Sequence, residues 1–427
     1  MSVVALLFII LAVCIVLGVT IAASLGAAGC IALIQVGIDL TVVPQRMFGA
    51  INSFPLLAIV FFVLSGELML KGGISEKLVN MAKSLLKRVP NALMVIDVVT
   101  CAFFGALSGS SLATTAAIGG VMHPQMVKEG YDEGFSAALQ AASGILGVLI
   151  PPSIPLVIYA VTSANTSAGD LFLAVVPGGL MMMVAFITVS YIVVRREKMV
   201  IRKDLEIPKF GASLQQGIWA LLMPVIILGT IYGGICTPTE SAIIATVYAF
   251  LVGTFVYRCL TWRNVLDAFI TTIKVSGSVM FLVAAATFFS WVMTYLNIPR
   301  LLTASIMAVV KSKYTFLLLT TVILLIAGML VDTSAAILLL VPLLLPVAMS
   351  FGIEPIHMGI LTVVNLALGN VTPPFGATMF VSASMTGVKV EVMYRRVIPF
   401  CLAGIVVILL VTYIPALSSG FFNMIVG

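Results

Sequence analysis

Charge is scarce in this sequence. Of its 427 residues only 9% are Asp, Glu, Lys or Arg and two are histidine, while 61% are hydrophobic and the mean hydropathy is +1.23. A soluble domain carries roughly 25% charged residues, so water is not the main solvent of this chain. The six cysteines (Cys14, Cys30, Cys101, Cys236, Cys259 and Cys401) stand singly. Their spacing excludes a disulfide scaffold or a zinc cluster and leaves small packing residues. There is no phosphate loop ending in Gly-Lys-Ser/Thr, no Ser-His-Asp set and no zinc motif, which argues against ATP drive and against an enzyme. The net charge of +6 is not gathered into a basic patch with interleaved aromatics, so nucleic acid is not an expected partner. The lipid bilayer is.

What is abundant is apolar sequence in long runs. A membrane span needs about 20 such residues, and hydropathy places spans near 3–20, 22–40, 47–70, 134–164, 168–194, 213–234, 238–256, 265–294, 356–386 and 397–418. The first run starts at residue 3 without a basic leader and continues to Leu40 without a cleavage signature, as retained helices would. Residues 90–127 and 314–350 differ. Each is two apolar arms joined by a small polar tip, Gly105-Ala-Leu-Ser-Gly-Ser-Ser111 and Gly328-Met-Leu-Val-Asp-Thr-Ser334. Irregular backbone at membrane depth survives only against protein or a water-filled cavity, so both are expected to be re-entrant hairpins. Residues 71–89, with Leu78, Val79, Met81, Ala82, Leu85 and Leu86 at helical spacing and Lys77, Lys83 and Lys87 towards the polar side, predict an amphipathic arm at the interface. Residues 298–312 are a weaker partner to it.

Basic residues support this topology. If the loops 71–89, 126–133, 195–210, 257–264 and 387–396 are cytoplasmic, they hold seventeen of the 22 Lys and Arg, as the positive-inside rule asks. Both termini then face the periplasm. The chain divides into first-half scaffold helices and arm (1–89), first-half hairpin and broken helix (90–194), a basic cytoplasmic linker (195–212), second-half scaffold and arm (213–313) and second-half hairpin and broken helix (314–427).

The halves repeat at a spacing of 222 residues. Pro151-Pro152 returns as Pro373-Pro374, Gly147 as Gly369, Gly130 as Gly352, Pro124 as Pro346, and the tip Ser110-Ser111 as Asp332-Thr333. Four crossings between the two Pro-Pro sites make the repeat inverted, an arrangement used by secondary transporters. Each Pro-Pro removes backbone donors and crowds the preceding turn, which unwinds the helix at mid-membrane. Freed amides favour anions and freed carbonyls favour cations. The hydroxyls and carbonyls of the nearby tips, without a cage of carboxylates, suit a monovalent cation such as sodium better than calcium or zinc.

At these residues the chain resembles the large membrane subunit of tripartite ATP-independent periplasmic (TRAP) transporters, the DctM-type permease. The matching segments are Gly105-Ala-Leu-Ser-Gly-Ser-Ser-Leu-Ala-Thr114, Gly147-Val-Leu-Ile-Pro-Pro-Ser153, Gly233-Gly-Ile-Cys-Thr-Pro-Thr-Glu-Ser241, Asp332-Thr-Ser334 and Asn365-Leu-Ala-Leu-Gly-Asn-Val-Thr-Pro-Pro-Phe-Gly376. The resemblance covers essentially the whole chain. It implies an all-α polytopic membrane protein of the elevator type, like the ion transporter superfamily, in the bacterial inner membrane. It implies sodium-coupled uptake of an organic acid such as sialic acid or a C4-dicarboxylate, delivered by a periplasmic binding protein. It also implies a separate small four-helix subunit of the DctQ type, since the chain starts at the first scaffold span. Carried over, sodium would be held by Ser108, Gly109, Ser110, Ser111, Gly147 and Pro151 in the first half and by Asp332, Thr333, Ser334, Gly369 and Thr372 in the second. Substrate would lie near Ser153, Asn370, Pro374 and Thr378. No other cofactor is implied. The alternative is a stand-alone sodium/anion symporter without a binding protein.

Other polar residues have plainer expectations. Asp332 is either a ligand at membrane depth or the cap of its tip. Glu240, after Thr237-Pro238, reads as a helix-start carboxylate capped by Thr. Lys274 either snorkels or pairs with Asp267, and His123 and His357 are candidates for little beyond structure.

Overall fold

The computed structural model describes residues 3–86, 88–163, 166–199, 201 and 210–426, and among them every regular element is helical. Lys87 of the arm and most of the basic linker (residues 200 and 202–209) lie outside the described residues. The first half runs α1 (Val3–Val16), α2 (Ile21–Val36), α3 (Val42–Ile51), α4 (Leu57–Lys71), α5 (Ile74–Leu86), α6 (Ala92–Ser108), α7 (Ser111–Lys128), α8 (Glu133–Gly144), α9 (Leu146–Leu149), α10 (Ile154–Ser163) and α11 (Ala168–Arg196). The second runs α12 (Phe210–Tyr232), α13 (Pro238–Leu251), α14 (Trp262–Tyr295), α15 (Ile298–Val309), α16 (Lys313–Leu330), α17 (Thr333–Ser350), α18 (Pro355–Gly369), α19 (Ala377–Thr386) and α20 (Val390–Tyr413), followed by α21 (Ser419–Val426).

Among the described residues, eight helices are long and apolar enough to cross a membrane. The count is nine if the pair α8–α9 and α10, bent by 45°, is one broken span. Element boundaries recur at the 222-residue spacing: α6 and α16 end at Ser108 and Leu330, α7 and α17 both run 18 residues, and α11 and α20 begin at Ala168 and Val390. Gly130 and Gly352 both have positive φ (96° and 70°), and both Pro-Pro peptide bonds are cis.

Several expected spans are corrected. The runs at 3–20 and 22–40 are helices of only 14 and 16 residues. Gly18 and Gly37 follow them at φ 77° and 79°, a conformation that glycine adopts without penalty and that stops a helix. The run at 47–70 is not one helix, because α3 ends at Ile51 and the chain passes through Asn52 and Ser53 into a short 3-10 turn, Phe54–Leu56, before α4. Pro55 supplies the reason, since it has no N–H to donate to the Ile51 carbonyl four residues back and its ring would clash with that carbonyl in a continuous helix. In the second half the equivalent stretch is continuous, and α14 runs 34 residues.

Two groups of contacts stand out in the packing. α13 lies on α4, α14 on α2, α3 and α4, and α12 on α5, so scaffold helices of the two halves pair with one another. The arm α5 buries Leu78, Val79, Met81 and Ala82 against α6 and α12, whereas Leu85, expected on the same apolar face, is exposed. In the other group each half reaches into its partner half: α10 packs on α17 and α19 on α7. The Tyr159 hydroxyl donates to the Pro355 carbonyl (2.7 Å) and the Ser382 hydroxyl to the Ala137 carbonyl (2.7 Å). α8 and α18 are buried on all sides from Gly134 and His357 onward, as expected of helices that are not facing solvent or lipid.

Candidate functional site

The first tip is built where small residues allow two backbones to touch. A Cβ at Gly105 would sit 2.7 Å from the Gly147 Cα, and one at Gly147 would sit 2.5 Å from the Ser110 carbonyl oxygen and 2.4 Å from the Thr114 hydroxyl. Only glycine permits that approach. Gly109, at φ 61°, turns the chain from α6 into α7, and its carbonyl accepts from the Ile154 amide (3.2 Å) just beyond the Pro-Pro break. Ser110 caps α7 by accepting from the Ala113 amide (3.4 Å). Thr114 donates to the Ser110 carbonyl (2.8 Å) and shares a hydrogen bond with the Ser108 hydroxyl (3.0 Å). Ser108, Gly109, Ser110, Ser111 and Gly147 are therefore one cluster. Pro151 is buried at the break, although the contacts to the tip come from Pro152 and Ile154.

The second tip repeats the plan with different chemistry. A Cβ at Gly369 would sit 2.6 Å from the Gly328 Cα, so tip and pre-break helix again touch through glycine. Asp332 is exposed and accepts from the Ser334 amide (2.9 Å), capping α17. The Asn370 side-chain amide donates to the Thr333 hydroxyl (2.8 Å), while the Asn370 carbonyl accepts from both the amide (3.0 Å) and the hydroxyl (2.8 Å) of Thr378. Ser334 is half-buried, and Thr372, just beyond the end of α18, donates back to the Leu368 carbonyl of that helix (2.7 Å).

Of the residues expected near substrate, Asn370 and Thr378 are brought together, and Ser153 is buried with its hydroxyl unpartnered. Pro374 is exposed, and its carbonyl accepts from the Tyr394 hydroxyl (2.7 Å). The donor set fits a hard monovalent cation. Both tips offer hydroxyl and carbonyl oxygens, and the buried Asn370 Oδ1 and Ser153 Oγ are without partners. Among the described residues no three His, Cys, Asp or Glu converge as a transition metal would require.

Glu240 and Thr237 form a reciprocal capping box, which places that carboxylate in a structural role. His123 is bonded to Ser136 (3.0 Å), and His357 to Ser418 (2.6 Å) and the Thr412 carbonyl (3.1 Å). Lys274 is exposed on α14 and, among the described residues, makes no ion pair with Asp267 within 4 Å; the ion pairs there join Arg396 to Asp132 (3.2 Å) and to Glu197. Sequence reasoning passed over Thr114 as a tip residue and Asp97 altogether. Asp97 interrupts the apolar run of α6, and an acid at membrane depth is a signal in its own right.

The family model described as "Tripartite ATP-independent periplasmic transporter, DctM component" matches residues 8–417. The chain is 39% identical over 409 residues to the isethionate TRAP transporter permease protein DctMQ of Oleidesulfovibrio alaskensis, covering 95% of this chain but only 64% of that one. It is 38% identical to the C4-dicarboxylate TRAP transporter large permease protein DctM of Pseudomonas aeruginosa, covering 92% of each. With the sialic acid TRAP transporter large permease protein SiaM of Vibrio cholerae it shares 37% identity, covering 87% of each. Among solved structures, the Alcanivorax borkumensis YdaH transporter superposes with a TM-score of 0.61 at 16% identity, covering 89% of this chain and 90% of that one. The MtrF protein of Neisseria gonorrhoeae superposes with a TM-score of 0.56 at 12% identity, covering 89% and 84%. Those two likenesses concern the fold alone.

Proposed function

We propose that this chain, which belongs to the DctM component family of tripartite ATP-independent periplasmic transporters, is the large permease of a three-part system for sodium-coupled uptake of an organic acid. The observation that carries the mechanism is that each polar tip touches the middle of a Pro-Pro-broken helix, through the Gly109 carbonyl and Ile154 amide in one half and through Thr333 and Asn370 in the other. A tip that meets the middle of a spanning helix lies at mid-depth, which supports re-entrant hairpins and an inverted repeat around one central site. Oxygens of Ser108, Ser110, Gly147 and their neighbours would hold one sodium ion, and those of Thr333, Gly369 and Thr372 another. Sodium, when bound, supplies positive charge beside a substrate carboxylate, which has no Arg or Lys at either break to meet.

The chain's own residues divide the remaining work. Thr378 and Asn370 keep the second break open in one shape, and Ser153 offers a free hydroxyl at the first. The cross-packing of α10 on α17 and α19 on α7 makes hairpins and broken helices a single body. Its sliding against the scaffold is the elevator step. Each charge moved through 100 mV contributes about 2.3 kcal/mol, so more than one net cation per cycle gives strong accumulation. The partners are a small four-helix membrane subunit and a periplasmic binding protein, the membrane is the bacterial inner membrane, and both termini face the periplasm. The substrate is an organic acid such as sialic acid, a C4-dicarboxylate or similar, and the relatives are named for C4-dicarboxylates, sialic acid and isethionate. Reconstitution into liposomes tests this: uptake should require sodium, the small subunit and the binding protein together. Uptake of free substrate by the chain alone would sink the three-part reading in favour of a stand-alone symporter.

A further inference from the structure

Behind the first tip, between α6 and α8, lies a group of buried oxygens that the proposed tip sites do not use. Asp97 on α6 is 1% exposed and neither of its carboxylate oxygens has a hydrogen-bond partner. Among the described residues no Lys or Arg nitrogen lies within 4 Å of it. The Ser143 hydroxyl of α8 sits beside the carboxylate without a formed hydrogen bond. One turn along α6 from Asp97, Cys101 receives the Gln140 side-chain nitrogen at 3.5 Å, and the same nitrogen donates to the Thr115 carbonyl at 3.3 Å. Gln140 therefore has no amide proton to spare for the carboxylate, and its own oxygen is unpartnered. The Thr100 hydroxyl, three residues on from Asp97, is fully buried and unpartnered too.

A bare carboxylate cannot remain in such a place; it must take up a proton or lie against a cation. A proton satisfies one carboxyl oxygen and one acceptor, which leaves the Thr100 and Gln140 oxygens where they were. A small cation satisfies several oxygens at once, and a set made only of carboxylate, hydroxyl and amide oxygen suits a hard monovalent ion. The second half has no such acid. The residue 222 positions after Asp97 is Leu319, while Ser143 returns as Asn365, whose Oδ1 is also buried and unpartnered. We propose that Asp97, Thr100, Gln140 and Ser143 form a further monovalent-cation site, of the sodium type, one to two helical turns before Gly147 and carried by the same helices as the first tip.

This rests on the sodium-coupled reading above, and equilibrium binding of radioactive sodium to the purified full chain in nanodiscs separates the two. Asp97→Asn should bind one sodium ion fewer per chain than wild type. Ser143→Ala should weaken that component by about tenfold or more, since loss of even an outer-shell partner costs a metal site about that much, and it serves as the second variant should Asp97→Asn fail to fold. Ser108→Ala, at the tip, should weaken a different component and leave the Asp97 component in place. An Asp97→Asn chain that binds as many ions as wild type, with unchanged affinity, overturns the site and assigns the carboxyl a proton. Loss of an ion in Asp97→Asn with no effect of Ser108→Ala upholds the site and removes the tip reading. No sodium bound by wild type overturns both.

Discussion

The two proline breaks carry the same dipeptide in helices of matching register, but they sit in different surroundings. Pro151, Pro152 and Ser153 are all buried, whereas Pro374 is exposed and Phe375 is 55% exposed. The tips differ at two of three positions: Ser108 is buried and Ser110 half-buried where Leu330 and Asp332 are exposed, while Ser111 and Thr333 are both buried. The local sequence does not produce this difference. On the first side α6 and α7 pack on one another, and Gly66 of α4 brings the scaffold onto the tip, a Cβ there standing 3.2 Å from the Ser108 Cα. On the second side α16 leans chiefly on α18, and the residue 222 positions after Gly66 is Phe288, whose ring is seated on Gly29 of α2. One tip is held under the scaffold and the other is not. Under the proposed mechanism the two would exchange these conditions during a cycle.

Making the first side resemble the second gives the largest expected effect. Gly66→Phe should drive α4 off the first tip and abolish uptake. In a cysteine-free background, Phe375→Cys should react with a membrane-impermeant thiol reagent at least about tenfold faster than Ser153→Cys, since a minor open state is rarely above about a tenth of molecules. Adding Gly66→Phe should shrink that ratio. Equal labelling of the two cysteines in the otherwise wild-type chain would dissolve the comparison.

The glycine contacts are what the two sides share, so they should fail alike. Gly147→Ala and Gly369→Ala each push a Cβ against backbone, at 2.5 Å from the Ser110 oxygen and 2.6 Å from the Gly328 Cα. Overpacking of this kind costs about 1–3 kcal/mol, to be read from denaturation midpoints in detergent. A large loss at one position and none at the other would mean that only one tip depends on close approach.

These contacts were visible in outline from the residues alone, because Gly-rich tips and Pro-Pro breaks at one spacing are local signals. The enclosure of one side was not, since it depends on α4 and α17, which are far away in sequence. The break at Asn52 was hidden inside a run apolar enough to read as one span, although Pro55 marked it. Asp97 was legible as an acid inside an apolar run, but its surroundings were not, because Ser143 and Gln140 come from another helix.

The way each tip is tied to its break gives a smaller effect. Asn370→Leu removes the side-chain bond to Thr333 and leaves that hydroxyl short of a donor, at a cost of about 1–3 kcal/mol. Hydrogen exchange should rise at residues 331–335 and stay unchanged at 107–112, because the first tip is tied by backbone, from the Ile154 amide to the Gly109 carbonyl. Equal loosening of both tips would show that they are coupled through the interlocked helices.

The smallest effect is expected at Asp332, where the two sides differ by a charge. Its equivalent Ser110 caps α7 without one, and Asp332 caps α17 through the Ser334 amide. Asn caps a helix about as well as Asp does, so Asp332→Asn should shift stability by less than about 0.5 kcal/mol. If the carboxylate acts only as a cap, the sodium dependence of uptake should also stay within about twofold of wild type, a difference of about 0.4 kcal/mol. A tenfold loss of apparent sodium affinity with the fold intact would instead make Asp332 a ligand. The second tip would then hold its ion by charge, whereas the first tip relies on hydroxyls and carbonyls, with the Asp97 carboxylate about three helical turns back along α6.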